Sequence, residues 1–134
     1  MSMHRCLAVA AGLAAALFAP AAPAAAEEPA VCHVGYRTSG DSRTFNGQVT
    51  ITNTGPVTLY GWTLKFSLPA GQVFRSGWEA RFTVDGQDVT GHSLQYNGVV
   101  DRGESVSVYF RAYGDVRGSR PAGFRINDQP CTTG

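Results

Sequence analysis

GQVTITNTGPVTLYGWTLKF, residues 47–66, decides how the rest of the chain is read. Val49 and Ile51 alternate with Gln48, Thr50 and Thr52. Trp62, Leu64 and Phe66 alternate in the same way with Thr63, Lys65 and Ser67. A period of two with one apolar and one polar face is the signature of half-buried strands. The run NTGP between them reads as a turn, so the stretch is expected to form a hairpin of two antiparallel strands. In that phase Trp62 belongs with Leu64 and Phe66 in the core.

The strand pattern continues on both sides. In VCHVGYRT, Cys32, Val34 and Tyr36 share one face, and Val31, His33, Gly35 and Arg37 share the other. Downstream, Ala80, Phe82 and Val84 alternate with Glu79, Arg81 and Thr83 as far as Asp85-Gly86, a dipeptide that favours two-residue hairpins. In GESVSVYFRAYG, residues 103–114, Val106, Val108, Phe110 and Ala112 face inward, while Ser105, Ser107, Tyr109 and Arg111 face out. A last strand, AGFRIND, leads to Cys131. Strands thus recur about every ten residues, and no segment after residue 26 shows sustained helical periodicity. The fold is expected to be all-β, an antiparallel β-sandwich of jelly-roll or immunoglobulin-like type with about nine strands.

Residues 1–26 combine a basic start at His4 and Arg5, an apolar run from Leu7 to Phe18, and small residues at Ala24 and Ala26. This is the pattern of a secretory signal peptide, and it places the mature domain, residues 27–134, outside the cell. Cys6 belongs to the leader. The remaining two cysteines, Cys32 and Cys131, lie near the ends of the mature chain and are expected to form a disulfide there. Closing a loop of roughly 100 residues is worth up to about 4–5 kcal/mol in the chain-entropy model. Of the eleven Lys and Arg, one, Arg5, lies in the leader, so ten remain against ten Asp and Glu. A near-neutral domain is a poor partner for nucleic acid. No later run is long and apolar enough to cross a membrane as a helix.

Seven short motifs then fall in order: C-x-V-x-Y (Cys32, Val34, Tyr36), F-x-x-x-V-T-I-x-N (Phe45 to Asn53), G-W-T-L (Gly61 to Leu64), S-G-W (Ser76 to Trp78), Y-N-G (Tyr96 to Gly98), G-x-S-V-S (Gly103 to Ser107) and N-x-x-x-C (Asn127 to Cys131). This composite resembles the family 2 carbohydrate-binding modules, bacterial cellulose- and xylan-binding modules attached to secreted glycoside hydrolases. The resemblance implies a sandwich with exposed aromatic rings that stack on sugars, and it puts Trp78 and Tyr96 at ring positions. Gln48, Ser107 and Arg111 fall on the polar positions beside them. Strand parity alone puts Trp78 in phase with Ala80, Phe82 and Val84, whereas the resemblance puts it outside; Gly77 offers a place for a bulge. Asp41 falls where the family carries a third ring, Arg111 replaces an amide, and Tyr109 stands where the family has glycine.

The expected role is therefore secreted, non-catalytic binding of cellulose or a xylan-type β-glycan by a monomer, without metal or other cofactor, in company with a separate secreted glycoside hydrolase. No GxSxG or HExxH motif is present, and Asp41, Glu79, Asp85, Asp88, Asp101 and Glu104 read as turn and solvent positions. The competing reading is a secreted β-sandwich whose face binds a protein partner, as an inhibitor or surface-interaction domain. Asp41 and Arg111 suit that reading.

Overall fold

The computed structural model describes residues 29–134; the leader expected over residues 1–26 lies outside them. Twelve strands follow in order: β1 (Cys32–Gly40), β2 (Thr44–Asn53), β3 (Leu59–Tyr60), β4 (Thr63–Ser67), β5 (Val73–Trp78), β6 (Arg81–Asp85), β7 (Asp88–His92), β8 (Val99–Val100), β9 (Ser105–Tyr113), β10 (Ala122–Ile126), β11 (Gln129–Pro130) and β12 (Thr132–Thr133). Eight of the twelve have five or more residues, close to the expected nine, and β3, β8, β11 and β12 are two-residue pairings that sequence periodicity does not register. Two five-stranded sheets, β12-β1-β2-β9-β5 and β11-β10-β4-β7-β6, face each other, and β3-β8 forms a small ribbon. Pairing is antiparallel except between β1 and β12, which run parallel.

The hairpin expected over residues 47–66 does not form. β2 pairs with β1 and β9, whereas β4 pairs with β10 and β7 in the opposite sheet. The alternation itself is right: Val49, Ile51, Trp62, Leu64 and Phe66 are all buried. Their apolar faces meet across the core between the sheets rather than side by side within one sheet, as in a packed sandwich. The NTGP run begins a crossover held by buried Asn53. Its amide donates to the carbonyls of Val57 (2.8 Å) and Val100 (2.9 Å), and its oxygen accepts from Gly55 N–H (3.0 Å). Asn53 thereby satisfies backbone groups that the crossing would otherwise strand away from water.

Phe110 sits at the centre of the core, with Phe45, Phe66, Phe74 and Tyr36 ring centroids 5.5–6.2 Å away. Opposite it on β2 is Gly47, where a Cβ would run into the Phe110 ring. Cys32 and Cys131 form the expected disulfide, across 99 residues of chain. The Asp85-Gly86 turn also forms as expected: β6 and β7 pair with Asp85 opposite Asp88. Val84, expected inside, is 43% exposed, because it lies near the tip of this hairpin on an edge strand that has no neighbour on its other side.

Candidate functional site

Trp78 ends β5, the edge strand of the first sheet. Opposite it on β9 is Tyr109, which β9 parity turns outward, so Trp78 faces outward too. The parity that would have buried it is broken twice. Phe74 and Ser76 pair with the consecutive residues Ala112 and Arg111, so Arg75 is an extra residue in the ladder, a β-bulge that moves every later side chain to the opposite face. Glu79 then adopts a left-handed backbone (φ 69°), and the chain leaves the first sheet for β6 in the second. Ala80 and Phe82 therefore belong to a new phase. Gly77 has a different task from the bulge expected of it: it faces inward, and a Cβ there would collide with the Phe82 ring.

Trp78 is 45% exposed, and its ring lies parallel to that of Tyr109, with centroids 5.7 Å apart and planes 9° from parallel. Two rings side by side in one plane would need a wider separation to avoid contact between their edges, so these rings overlap in the offset arrangement that aromatic pairs favour. One face of Trp78 rests on Tyr109.

Register places four outward side chains in one line across the sheet: Arg37 on β1, Gln48 on β2, Tyr109 on β9 and Trp78 on β5. Beside it runs a second line, Ser39, Asn46, Arg111 and Ser76. Arg37, Asn46, Gln48, Trp78 and Tyr109 border a shallow depression of about 280 Å³. Ser107 lies one outward position further along β9, where its hydroxyl shares a hydrogen bond with Thr50 (2.9 Å) and accepts one from the Gln48 amide (3.5 Å). Four of the five residues expected from sequence, Trp78, Gln48, Ser107 and Arg111, thus share this face. Parity also turned Tyr109 and Arg37 outward, but nothing local said that they belonged with Trp78.

Tyr96, the fifth, is not on the sheet. It lies in the loop between β7 and β8 and is 70% exposed. Its hydroxyl donates to the Glu79 carboxylate (2.6 Å), a contact that raises the phenol pKa above its ordinary value. The neighbouring Asn97 amide donates to the Glu79 carbonyl (2.6 Å), while its oxygen accepts from Leu94 N–H (2.8 Å). Buried Trp62 donates its indole N–H to the Asn97 carbonyl (2.9 Å). Glu79, read from sequence as a solvent carboxylate, is therefore the joint between the loop of Tyr96 and the strand of Trp78. Nothing in its sequence context marks it, since its role depends on a contact 17 residues away.

Asp41, which the family resemblance sets at the position of a third ring, lies in the β1–β2 turn. Its carboxylate accepts from Arg43 N–H (2.8 Å) and Thr44 N–H (3.0 Å). The Thr44 and then the Arg43 hydrogen bond hold its pKa below the usual carboxylate range. The residue is a turn cap at the end of the site, and it adds no stacking surface.

A β-sandwich with a ring-bearing, polar-flanked sheet face is the architecture of a polysaccharide-binding module. The chain belongs to the family 2 carbohydrate-binding modules: a family model described as "Cellulose binding domain" matches residues 32–131. The chain is 39% identical over 101 residues to exoglucanase B of Cellulomonas fimi, covering 75% of this chain and 9% of that protein. To chitinase C of Streptomyces lividans it is 34% identical over 131 residues, covering 96% of this chain and 20% of that protein. It therefore spans a small part of the length of these relatives. Among solved structures, the chitin-binding domain of Chi18aC from Streptomyces coelicolor superposes with a TM-score of 0.61 at 29% identity, covering 75% of this chain and 93% of that one. The family 2 cellulose-binding domain of ScLPMO10C shares the fold, with a TM-score of 0.55 at 23% identity, covering 78% of this chain and 98% of that one.

Proposed function

We propose that this chain is a secreted, non-catalytic module that attaches to cellulose or chitin through Trp78, Tyr109 and Tyr96, and that it acts as a monomer beside a separate secreted glycoside hydrolase. The overlapping Trp78–Tyr109 pair on an open sheet face carries the reading. A pyranose presents an apolar face of C–H groups, and an exposed indole presents an apolar, electron-rich one. The Gln48 and Asn46 amides beside the rings offer both donors and acceptors to the sugar hydroxyls. The depression is shallow, which suits an extended chain or surface better than an enclosed small molecule.

Adsorption isotherms on cellulose, chitin and insoluble xylan test this reading. Burying one ring face contributes on the order of 1–3 kcal/mol, so Trp78→Ala should weaken adsorption roughly ten- to a hundredfold. Tyr96→Ala should weaken it less, and both variants should keep the wild-type melting profile. Adsorption that ignores both substitutions in a folded protein would sink the proposal and favour a protein partner.

A further inference from the structure

We propose that, among the glycan chains this face takes, it prefers those bearing uronate carboxylates, which Arg37 and Arg111 bind beside the aromatic pair. The proposal rests on the carbohydrate-binding reading and specifies its ligand class. The five strands of the first sheet contain no Asp or Glu but carry Arg37, Arg75 and Arg111. Arg75 lies over the Tyr113 ring, 5.1 Å from its centroid. Arg37 and Arg111 are exposed, and among the described residues neither has a carboxylate partner. The Asp41 carboxylate is held by the β1–β2 turn and that of Glu79 by Tyr96, so both keep their charge but are bound to other partners.

Placement is the second argument. Arg37 stands opposite Gln48, at the far end of the line that Tyr109 and Trp78 complete. Arg111 lies diagonally across from Trp78, at the roughly 7–8 Å typical of such cross-strand neighbours. A chain stacked on Trp78 and running across the strands would pass both guanidinium groups. A guanidinium has no acceptor for a neutral sugar hydroxyl, but its planar fork matches a carboxylate with two parallel hydrogen bonds. Two such groups on strands that carry no carboxylate give a local positive potential on a nearly neutral chain, and that potential draws anions. Nucleic acid is the other polyanion with stacking rings, and it is disfavoured because the cations form no continuous backbone track.

Calorimetric titration of the intact protein with two matched pairs tests the inference. One pair is a glucuronic-acid-bearing xylo-oligosaccharide and its carboxyl-reduced form; the other is a C6-oxidised cello-oligosaccharide and the unoxidised one. In at least one pair the acidic member should bind about tenfold tighter at low salt, with the preference fading toward equality near 1 M salt. In the Arg37→Gln/Arg111→Gln double variant the acidic-to-neutral affinity ratio should fall to about one, with the thermal melt serving as the folding control. Equal affinities within both pairs, or a preference that survives the double substitution, would overturn the acidic-ligand inference and leave the module a binder of neutral glycan. Binding an oligothymidylate as tightly as the acidic sugar would also overturn it. Failure to bind any oligosaccharide or insoluble glycan would remove the underlying reading as well.

Discussion

The two outer faces of the sandwich are built from the same number of strands and differ in almost everything else. The β12-β1-β2-β9-β5 face carries the stacked Trp78–Tyr109 pair, a field of Ser, Thr, Asn and Gln, and arginines without carboxylates. The β11-β10-β4-β7-β6 strands place Lys65, Arg81 and Arg125 among Asp85 and Asp88, with no tryptophan or tyrosine. There Lys65 is ion-paired to Asp128 (3.1 Å), and Asp88 accepts from Ser67 (2.6 Å). Charges of both signs on one face offset each other. Exposed rings and cations without ion-pair partners leave the first face the more open to a ligand.

The most severe way to break the comparison is to remove the layer both faces share. Trp62 is 2% exposed and holds the Tyr96 loop through its indole N–H. Trp62→Ala should cost about 3–5 kcal/mol in a denaturant titration, whereas Trp78→Ala should change stability by less than about 1 kcal/mol. If the two substitutions cost the same, the assignment of one tryptophan to the core and the other to the ligand is wrong.

The comparison is sharpened by Tyr109→Gly, which removes the ring beneath Trp78 and restores the residue that the family resemblance expects. Losing that support and its own stacking area should weaken adsorption about three- to tenfold, with binding recovered by Tyr109→Phe because the argument depends on the ring and not on the hydroxyl. An unchanged isotherm would mean that Trp78 works alone.

A smaller effect is expected at Asp41. Folding lowers its pKa, so across the acid range the folded state binds fewer protons than the unfolded chain. Its contribution is complete above the unfolded carboxylate value and is lost as pH falls through the folded one. Asp41→Ala should therefore melt slightly below wild type at pH 7, and the gap should narrow as the pH is lowered through and below the ordinary carboxylate range. A gap independent of pH would show that the carboxylate is not the capping group.

The smallest change should come from the second face. Lys65→Ala breaks an exposed ion pair, which should shift stability by no more than about 0.5 kcal/mol and leave glycan adsorption as it was. A loss of adsorption would place ligand contacts on both faces.

Much of this molecule is legible from the order of its residues, because side-chain alternation is local and burial follows it. The strands around Val49, Leu64 and Phe110, the core position of Trp62 and the disulfide joining the ends of the domain all follow from periodicity, apolarity and cysteine placement. What parity does not encode is which strand lies beside which. The residues 47–66 read as a hairpin and instead divide between two sheets, since two apolar faces can meet across a core as well as along a ladder. Nor does it register a single extra residue. Arg75 in the ladder turns Trp78 outward opposite Tyr109, and the left-handed turn at Glu79 resets the phase for Ala80 and Phe82. The grouping of Arg37, Gln48, Tyr109 and Trp78 likewise depends on long-range register. Sequence settles which side chains avoid water; the tertiary pairing of distant strands settles which exposed ones stand together as a site.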